Sequence, residues 1–360
     1  MRPLTVTHSR YGSFVSFCLS ILPAITACAG HPPRTGHAGD HVYAAPGYDG
    51  VPPDAIDPEA TTYAYPYPAK FFELDSQHQR LRMAYLDVAP SQPNGRSVLL
   101  LHGKNFSAAA WTTTIALLSE RGYRVIAPDQ IGFGKSSKPA GYQYSFALLA
   151  QHTRALLASL GIERSHVVGH SMGGMLASRY ALQFPQHVEQ LVLVNPIGLE
   201  DYASLVPYRP IDAWYADELK QTPESIRDYQ RKSYYAGQWS DAYEQLAKQQ
   251  MGMTKHPDYA VVAWSSALLY DMIFTQPVVH DLPRLQVPTG LIIGTRDKTA
   301  LGKPFATPEI AATMGDYTQL GKRAQSAIPN ATLIELEGVG HCPQVEAFDR
   351  YREALLSLLP

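Results

Sequence analysis

Residues 167–174 read Val167-Val168-Gly169-His170-Ser171-Met172-Gly173-Gly174. An apolar run over 166–168 with strand character enters this stretch, a Gly-x-Ser-x-Gly turn occupies it, and a helix-forming run over 175–182 leaves it. A serine on so sharp a strand-to-helix turn is forced into a crowded backbone conformation, with its hydroxyl above the sheet. Glycines two before and two after leave room for the neighbouring strand and helix. The following helix aims its free N–H groups and positive dipole end at any anion formed there. Those are the needs of a nucleophilic serine. A pentapeptide with three fixed positions also recurs by chance, so its meaning depends on partners elsewhere in the chain.

Outward from this turn, short β runs alternate with helical patterns from 70 to 360, which argues for an α/β fold with a mostly parallel sheet and helices on both faces. Residues 71–74 and 81–88 read as an opening hairpin. Residues 97–101 (Ser-Val-Leu-Leu-Leu) are apolar without alternation, the pattern of a strand buried on both faces. A helix is expected over 109–120, a strand over 123–127 and a helical stripe over 146–160. Strands follow at 191–195, 289–294 and 331–336, and a closing helix at 348–359. Ligands in such sheets bind at the carboxyl ends of the strands, where Ser171 falls.

Two further strand ends carry the groups a serine nucleophile requires. Gly294-Thr295-Arg296-Asp297 follows one strand, and Gly338-Val339-Gly340-His341 follows another, just before the last helix. A serine hydroxyl is a poor nucleophile at neutral pH unless a neutral imidazole takes its proton, and a buried carboxylate holds that imidazole in the right tautomer. Ser171, Asp297 and His341, in that chain order, are the candidate catalytic set. Leu101-His102-Gly103-Lys104-Asn105-Phe106 begins at the end of another buried strand. The His-Gly pair turns this loop so that the backbone N–H of Lys104, with Asn105 as the alternate, faces the site. With the N–H of Met172 it forms a two-donor oxyanion hole, each donor worth about 3 kcal/mol. The Lys104 side chain is expected at the surface.

Gly-His-Ser-Met-Gly-Gly, the His-Gly loop, the stretch Ala127-Pro128-Asp129-Gln130-Ile131-Gly132-Phe133-Gly134-Lys135-Ser136-Ser137-Lys138-Pro139, Gly294-x-x-Asp297 and Gly338-x-Gly-His341 together resemble the α/β-hydrolase superfamily over about 71–359. The resemblance implies an eight-stranded sheet and a serine-hydrolase mechanism. Epoxide hydrolases and haloalkane dehalogenases share the Pro-Asp-x-x-Gly-x-Gly-x-Ser loop but use an aspartate where this chain has Ser171, which disfavours both activities. Carboxylesterases, carbon–carbon bond hydrolases and perhydrolases keep the serine. In the family pattern Asp129 is a structural carboxylate satisfying backbone donors, and His170 packs beneath the turn.

The remaining sequence bounds location and pocket. A net charge of −2 over 360 residues leaves no electrostatic footprint for nucleic acid. Residues 1–27 have Arg2 and Arg10 followed by an uncharged apolar run ending in small residues, the layout of an export signal. Ile25-Thr26-Ala27-Cys28 resembles a bacterial lipobox, in which Cys28 becomes the lipidated first residue. Ordinary cleavage after Ala27-Cys28-Ala29, giving a secreted or periplasmic soluble protein, also fits, but the apolar run stops at the cysteine and favours a lipid anchor in the cell envelope. With Cys18 lost with the signal and Cys28 lipidated, Cys342 alone remains and no disulfide framework is implied. Residues 28–69, rich in proline and glycine, read as a tether, with packing of Tyr63-Ala64-Tyr65-Pro66-Tyr67-Pro68 along the domain as the alternative for that segment. The core is then 70–195 and 289–360. Residues 196–288, too long for a loop and patterned as helices, read as an inserted helical cap whose nine tyrosines and three tryptophans suit a pocket for a ring-bearing or acyl substrate. Residues 298–317 read as a second rim.

The reading that results is a serine hydrolase acting on a small-molecule carboxylic ester or acyl substrate, with no metal or organic cofactor. A carbon–carbon bond hydrolase or perhydrolase of the same fold, or a non-catalytic binding protein on this scaffold, stays open, as do chain-length preference and oligomeric state.

Overall fold

The unbroken apolar runs at 98–101, 191–194 and 291–293 become central strands of one sheet, because only a strand covered on both faces can bury every side chain of such a run. The computed structural model describes residues 50–359, so the expected signal and Cys28 lie outside the described residues. The strands are β1 (Ala69–Ser76), β2 (Gln79–Val88), β3 (Ser97–Leu101), β4 (Arg124–Pro128), β5 (Ser165–His170), β6 (Val188–Val194), β7 (Thr289–Gly294) and β8 (Ala331–Leu336). Their order is β1-β2-β4-β3-β5-β6-β7-β8. β2 runs antiparallel to both β1 and β4, and every later pairing is parallel. The expected α/β-hydrolase architecture of eight mostly parallel strands is what forms.

The α-helices among the described residues are α1 (Thr112–Glu120), α2 (Phe146–Ser159), α3 (Met172–Gln183), α4 (Tyr202–Leu205), α5 (Ile211–Glu218), α6 (Pro223–Ser233), α7 (Asp241–Met253), α8 (Tyr259–Thr275), α9 (Pro308–Thr313), α10 (Tyr317–Ala327), α11 (Pro343–Glu346) and α12 (Phe348–Leu358). Alternation along the strands sorts them into layers. Leu99, Leu101, Leu191 and Leu193 pack with Leu149 of α2, Tyr180 of α3 and Leu320 of α10. Val98, Leu100, Val192 and Val194 face the other way, towards Ile115 of α1 and Leu355 of α12. The sheet is thereby sealed on both faces.

Five helices, α4 to α8, lie between β6 and β7. Leu269, Met272, Ile273 and Phe274 of α8 belong to the main core, whereas Ile226 of α6 packs with Ala247 and Met251 of α7 in a small cluster of their own. The insertion is rooted in the main core through α8 together with Tyr202 and Val206 at α4.

The tether expected over 28–69 is corrected over residues 50–68, which lie on the domain. They contain turns but no helix or strand. Ile56 and Ala60 are buried against Met253, Tyr259 and Ala263. Glu59 pairs with Arg82 at 2.6 Å, and the Ala60 carbonyl accepts from Lys135 Nζ. Ile56 and the tyrosines Tyr63, Tyr65 and Tyr67 interspersed among the prolines supply apolar area, and burying it outweighs the freedom of a solvated linker.

Candidate active site

Ser171 follows β5 and makes the turn into α3 with φ 57° and ψ −122°, a conformation costing a non-glycine residue on the order of 1–3 kcal/mol. Its N–H donates to the Val194 carbonyl at 3.1 Å, so the strand ladder holds it there. A Cβ at Gly169 would overlap the Gly173 carbonyl, and one at Gly173 would overlap the Leu101 carbonyl. Small residues let β3, β5 and α3 approach closely enough for the turn to form. Met172 is the first residue of α3, so its N–H has no carbonyl four residues back within the helix.

The loop after β8 brings His341 over this serine. His341 Nε2 lies 2.9 Å from Ser171 Oγ, and Nδ1 lies 2.6 Å from Asp297 Oδ2. His341 and Asp297 are fully buried and Ser171 is 6% exposed, so the chain of bonds is shielded from competing water. Burial alone would raise the Asp297 pKa, but His341 and the donors at Thr299 outweigh it and hold the carboxyl below the usual range. Asp297 Oδ1 accepts from the Thr299 N–H at 2.8 Å, and Oδ2 also accepts from Asn195 Nδ2 at 2.9 Å. Asn195 is positioned in turn by the Gly294 N–H, which donates to its Oδ1 at 2.9 Å. An imidazole bonded to a carboxylate on one side and a hydroxyl on the other can take the hydroxyl proton as the oxygen attacks.

The two residues read as structural behave so. His170 Nε2 lies 2.8 Å from the His341 carbonyl, and burial lowers its pKa from 6.5 to about 3. It therefore stays neutral, donates to that carbonyl, and fixes the backbone of the residue above it. Asp129 takes the Ala108 N–H at 2.7 Å, the Lys135 N–H at 2.8 Å and the Tyr65 hydroxyl at 2.7 Å, all away from Ser171.

The loop after β3 departs from expectation at its side chains. Lys104 does not project to the surface. Its Nζ donates to Ser266 Oγ at 2.7 Å and sits 3.4 Å from the centroid of the Tyr270 ring, both on α8. Asn105 Nδ2 donates to the Tyr234 hydroxyl at 2.9 Å, and Ser107 Oγ to Gln249 Oε1 on α7 at 2.7 Å. Three residues of one loop are thus tied to three parts of the insertion. Tyr234, which ends α6, stacks on His341 with ring centroids 4.6 Å apart and planes 29° from parallel.

Ser171 opens into a cavity of about 330 Å³. Its walls include Lys104 and Asn105, Trp214 and Ile226 from the insertion, and Leu301 and Phe305 from the segment after Asp297. Asn195 and Tyr234 are the site residues that sequence reasoning missed. Asn195 left a faint signal, a polar residue closing an apolar strand beside the strand of the acid. Tyr234 left none among so many tyrosines.

The alpha/beta hydrolase fold family matches residues 96–348. The chain belongs to that family. A crystal structure of a "probable hydrolytic enzyme" from Pseudomonas aeruginosa PAO1 is 54% identical, covers 85% of this chain and 98% of that one, and superposes with a TM-score of 0.84. Matches to curated relatives are shorter and span about a third of those proteins. An uncharacterized protein of Mycobacterium bovis is 42% identical over 31% of this chain and 33% of its own length. The 2-hydroxy-6-oxo-2,4-heptadienoate hydrolase of Pseudomonas putida is 36% identical over 29% of this chain and 39% of its own. For an α/β-hydrolase fold, a serine at the turn after β5, an acid after β7 and a histidine after β8 fall at the strand ends where its ligands bind.

Proposed function

We propose that the protein hydrolyses carboxylic esters through an acyl-enzyme on Ser171. The observation that carries this is the pair of bonds from one buried imidazole, 2.9 Å to Ser171 Oγ and 2.6 Å to Asp297 Oδ2. Ser171 Oγ attacks the ester carbonyl while its proton passes to His341 Nε2, and Asp297 stabilises the resulting imidazolium. The N–H groups of Met172 and Lys104, with Asn105 as the alternate to Lys104, receive the oxyanion. The alcohol leaves with the proton from His341. Water then attacks the acyl carbonyl, gives a proton to His341, and the acid departs as that proton returns to Ser171. The helices of residues 196–288 act as a cap over this chemistry. Hydrolysis of p-nitrophenyl acetate and labelling of Ser171 by a fluorophosphonate probe test the assignment; a Ser171→Ala variant with full activity sinks it.

The similarity to the heptadienoate hydrolase favours a second reading, carbon–carbon bond hydrolysis by the same residues. Turnover of a vinylogous 1,5-diketone with no turnover of simple esters would select it. We also propose that Cys28 carries a lipid anchor in a bacterial cell envelope. Cys28→Ser should release the protein from membranes into the soluble fraction.

A further inference from the structure

A lysine ammonium has three donors and a full charge, and enclosing it without an anion costs several kcal/mol unless a ligand supplies one. Lys104 is in that position. It borders the cavity that Ser171 opens into, and its Nζ is given one neutral hydroxyl, Ser266, and the face of the Tyr270 ring. Among the described residues no carboxylate lies within 4 Å of it as an ion-pair partner. Glu218 on α5, 8% exposed, borders the same cavity, but its carboxylate sits beside the Tyr270 hydroxyl and makes no direct ion pair with Lys104. Burial lowers the Lys104 pKa to about 8, with Glu218 drawing it back up, so the group is still largely cationic at neutral pH. The other walls are largely aromatic or aliphatic, from Trp214, Ile226, Ile273, Leu301 and Phe305.

This arrangement selects a substrate of a particular shape. The Lys104 backbone stands beside the nucleophile, and Gly103 before it lies so close that a Cβ there would touch Ser171 Cβ at 3.0 Å. The lysine side chain then runs outward from that point to α8. A substrate whose carbonyl is at Ser171 would lay a short aliphatic chain along the same path and bring its far end to the ammonium. We propose that the cavity takes esters whose acyl chain ends in a carboxylate, held by Lys104 Nζ several methylenes from the scissile carbonyl. This rests on the ester-hydrolase reading above. The carboxylate supplies the direct ion pair that Glu218 does not make, while the methylenes bury against the apolar walls. Products would be an alcohol and a dicarboxylate, with one water consumed.

The test compares monomethyl adipate with methyl hexanoate, two esters alike in length and differing at the distal end. Charge-assisted hydrogen bonds predict at least about a tenfold higher kcat/KM for monomethyl adipate. In Lys104→Met the two values should converge, whatever the absolute loss caused by disturbing the oxyanion loop. If that variant does not fold, wild-type inhibition decides instead. Adipate should compete against methyl hexanoate at least about tenfold more tightly than hexanoate does. Equal or better turnover of methyl hexanoate, or preference for an ester with a distal amine drawn to Glu218, overturns the proposal and leaves ester hydrolysis intact. Turnover of neither ester, with Ser171 unlabelled by fluorophosphonate, overturns the hydrolase reading and this proposal with it.

Discussion

The site has two halves of different construction. One half is carried on strand ends: Ser171 after β5, Asn195 after β6, Asp297 after β7 and His341 after β8. Their partners are mostly backbone groups and one another, and they are almost wholly buried. The other half is carried on helices inserted between β6 and β7, which meet the sheet-borne half through side chains: Ser266 with Lys104, Tyr234 with Asn105 and His341, Gln249 with Ser107. The difference teaches where rigidity comes from. Parallel ladders fix neighbouring strand ends relative to one another, so short motifs can assemble a reaction centre. Helices α6 and α7 pack in small clusters apart from the main core, one of which joins Tyr234 and Tyr235 to Phe106 and Cys342, and side-chain bonds add to their registration on the core.

Changes in the sheet-borne half should hit the chemical step hardest. Ser171→Ala should lower kcat on p-nitrophenyl acetate by about 10⁴-fold or more with the fold retained by circular dichroism. Asp297→Asn should cost kcat about 10⁴-fold with little change in KM, because the amide favours the wrong histidine tautomer.

Acid stability probes the same half. His170 is neutral in the folded protein, with its pKa lowered to about 3 against 6.5 when unfolded. Between these values the unfolded chain binds the proton that the folded one refuses, so stability is complete above about pH 6.5 and falls as the pH declines towards 3. The expected loss is about 2 kcal/mol from this group between pH 6.5 and 5, read as a falling urea midpoint. His152, lowered to about 4 by burial, adds to the same trend. A midpoint independent of pH in that window would contradict both.

Breaking the contacts of the insertion should cost less and fall differently. Tyr234→Leu removes the ring stacked on His341 and the acceptor for Asn105. A loss of about tenfold to a hundredfold in kcat is expected, with Tyr234→Phe between this variant and the wild type. Wild-type kcat in Tyr234→Leu would mean that the two halves are not coupled. The smallest effect belongs to the strap over 50–68. Tyr65→Phe deletes a 2.7 Å hydrogen bond to the buried Asp129 carboxylate and should lower stability by about 1.5–3 kcal/mol by urea unfolding, leaving kcat on p-nitrophenyl acetate near the wild-type value.

Legibility in the sequence followed the same division. Strands announced themselves at 97–101, 289–294 and 331–336, and the structure forms each of them with those bounds. β6 begins three residues earlier than its apolar run suggested, at Val188, because Glu189 and Gln190 can stay half-buried at the strand's entry. Ser171, Asp297 and His341 could be named because each follows its own strand within a few residues, and the parallel order of the sheet brings those ends together.

What the sequence by itself determined is the sheet, the turn at Ser171 and the two residues, His341 and Asp297, that bond to it in a chain. These depend on local sterics and on hydrophobic period, which are written in consecutive residues. Tertiary structure alone decided that Asn195 holds Asp297, that Tyr234 covers His341, that residues 50–62 lie along the domain with 63–68, and that Lys104 turns inward to α8 rather than out to water. Each of those contacts joins residues far apart in the chain, as with Lys104 and Ser266, and a side chain's burial there depends on the shape of a partner that no neighbouring residue encodes.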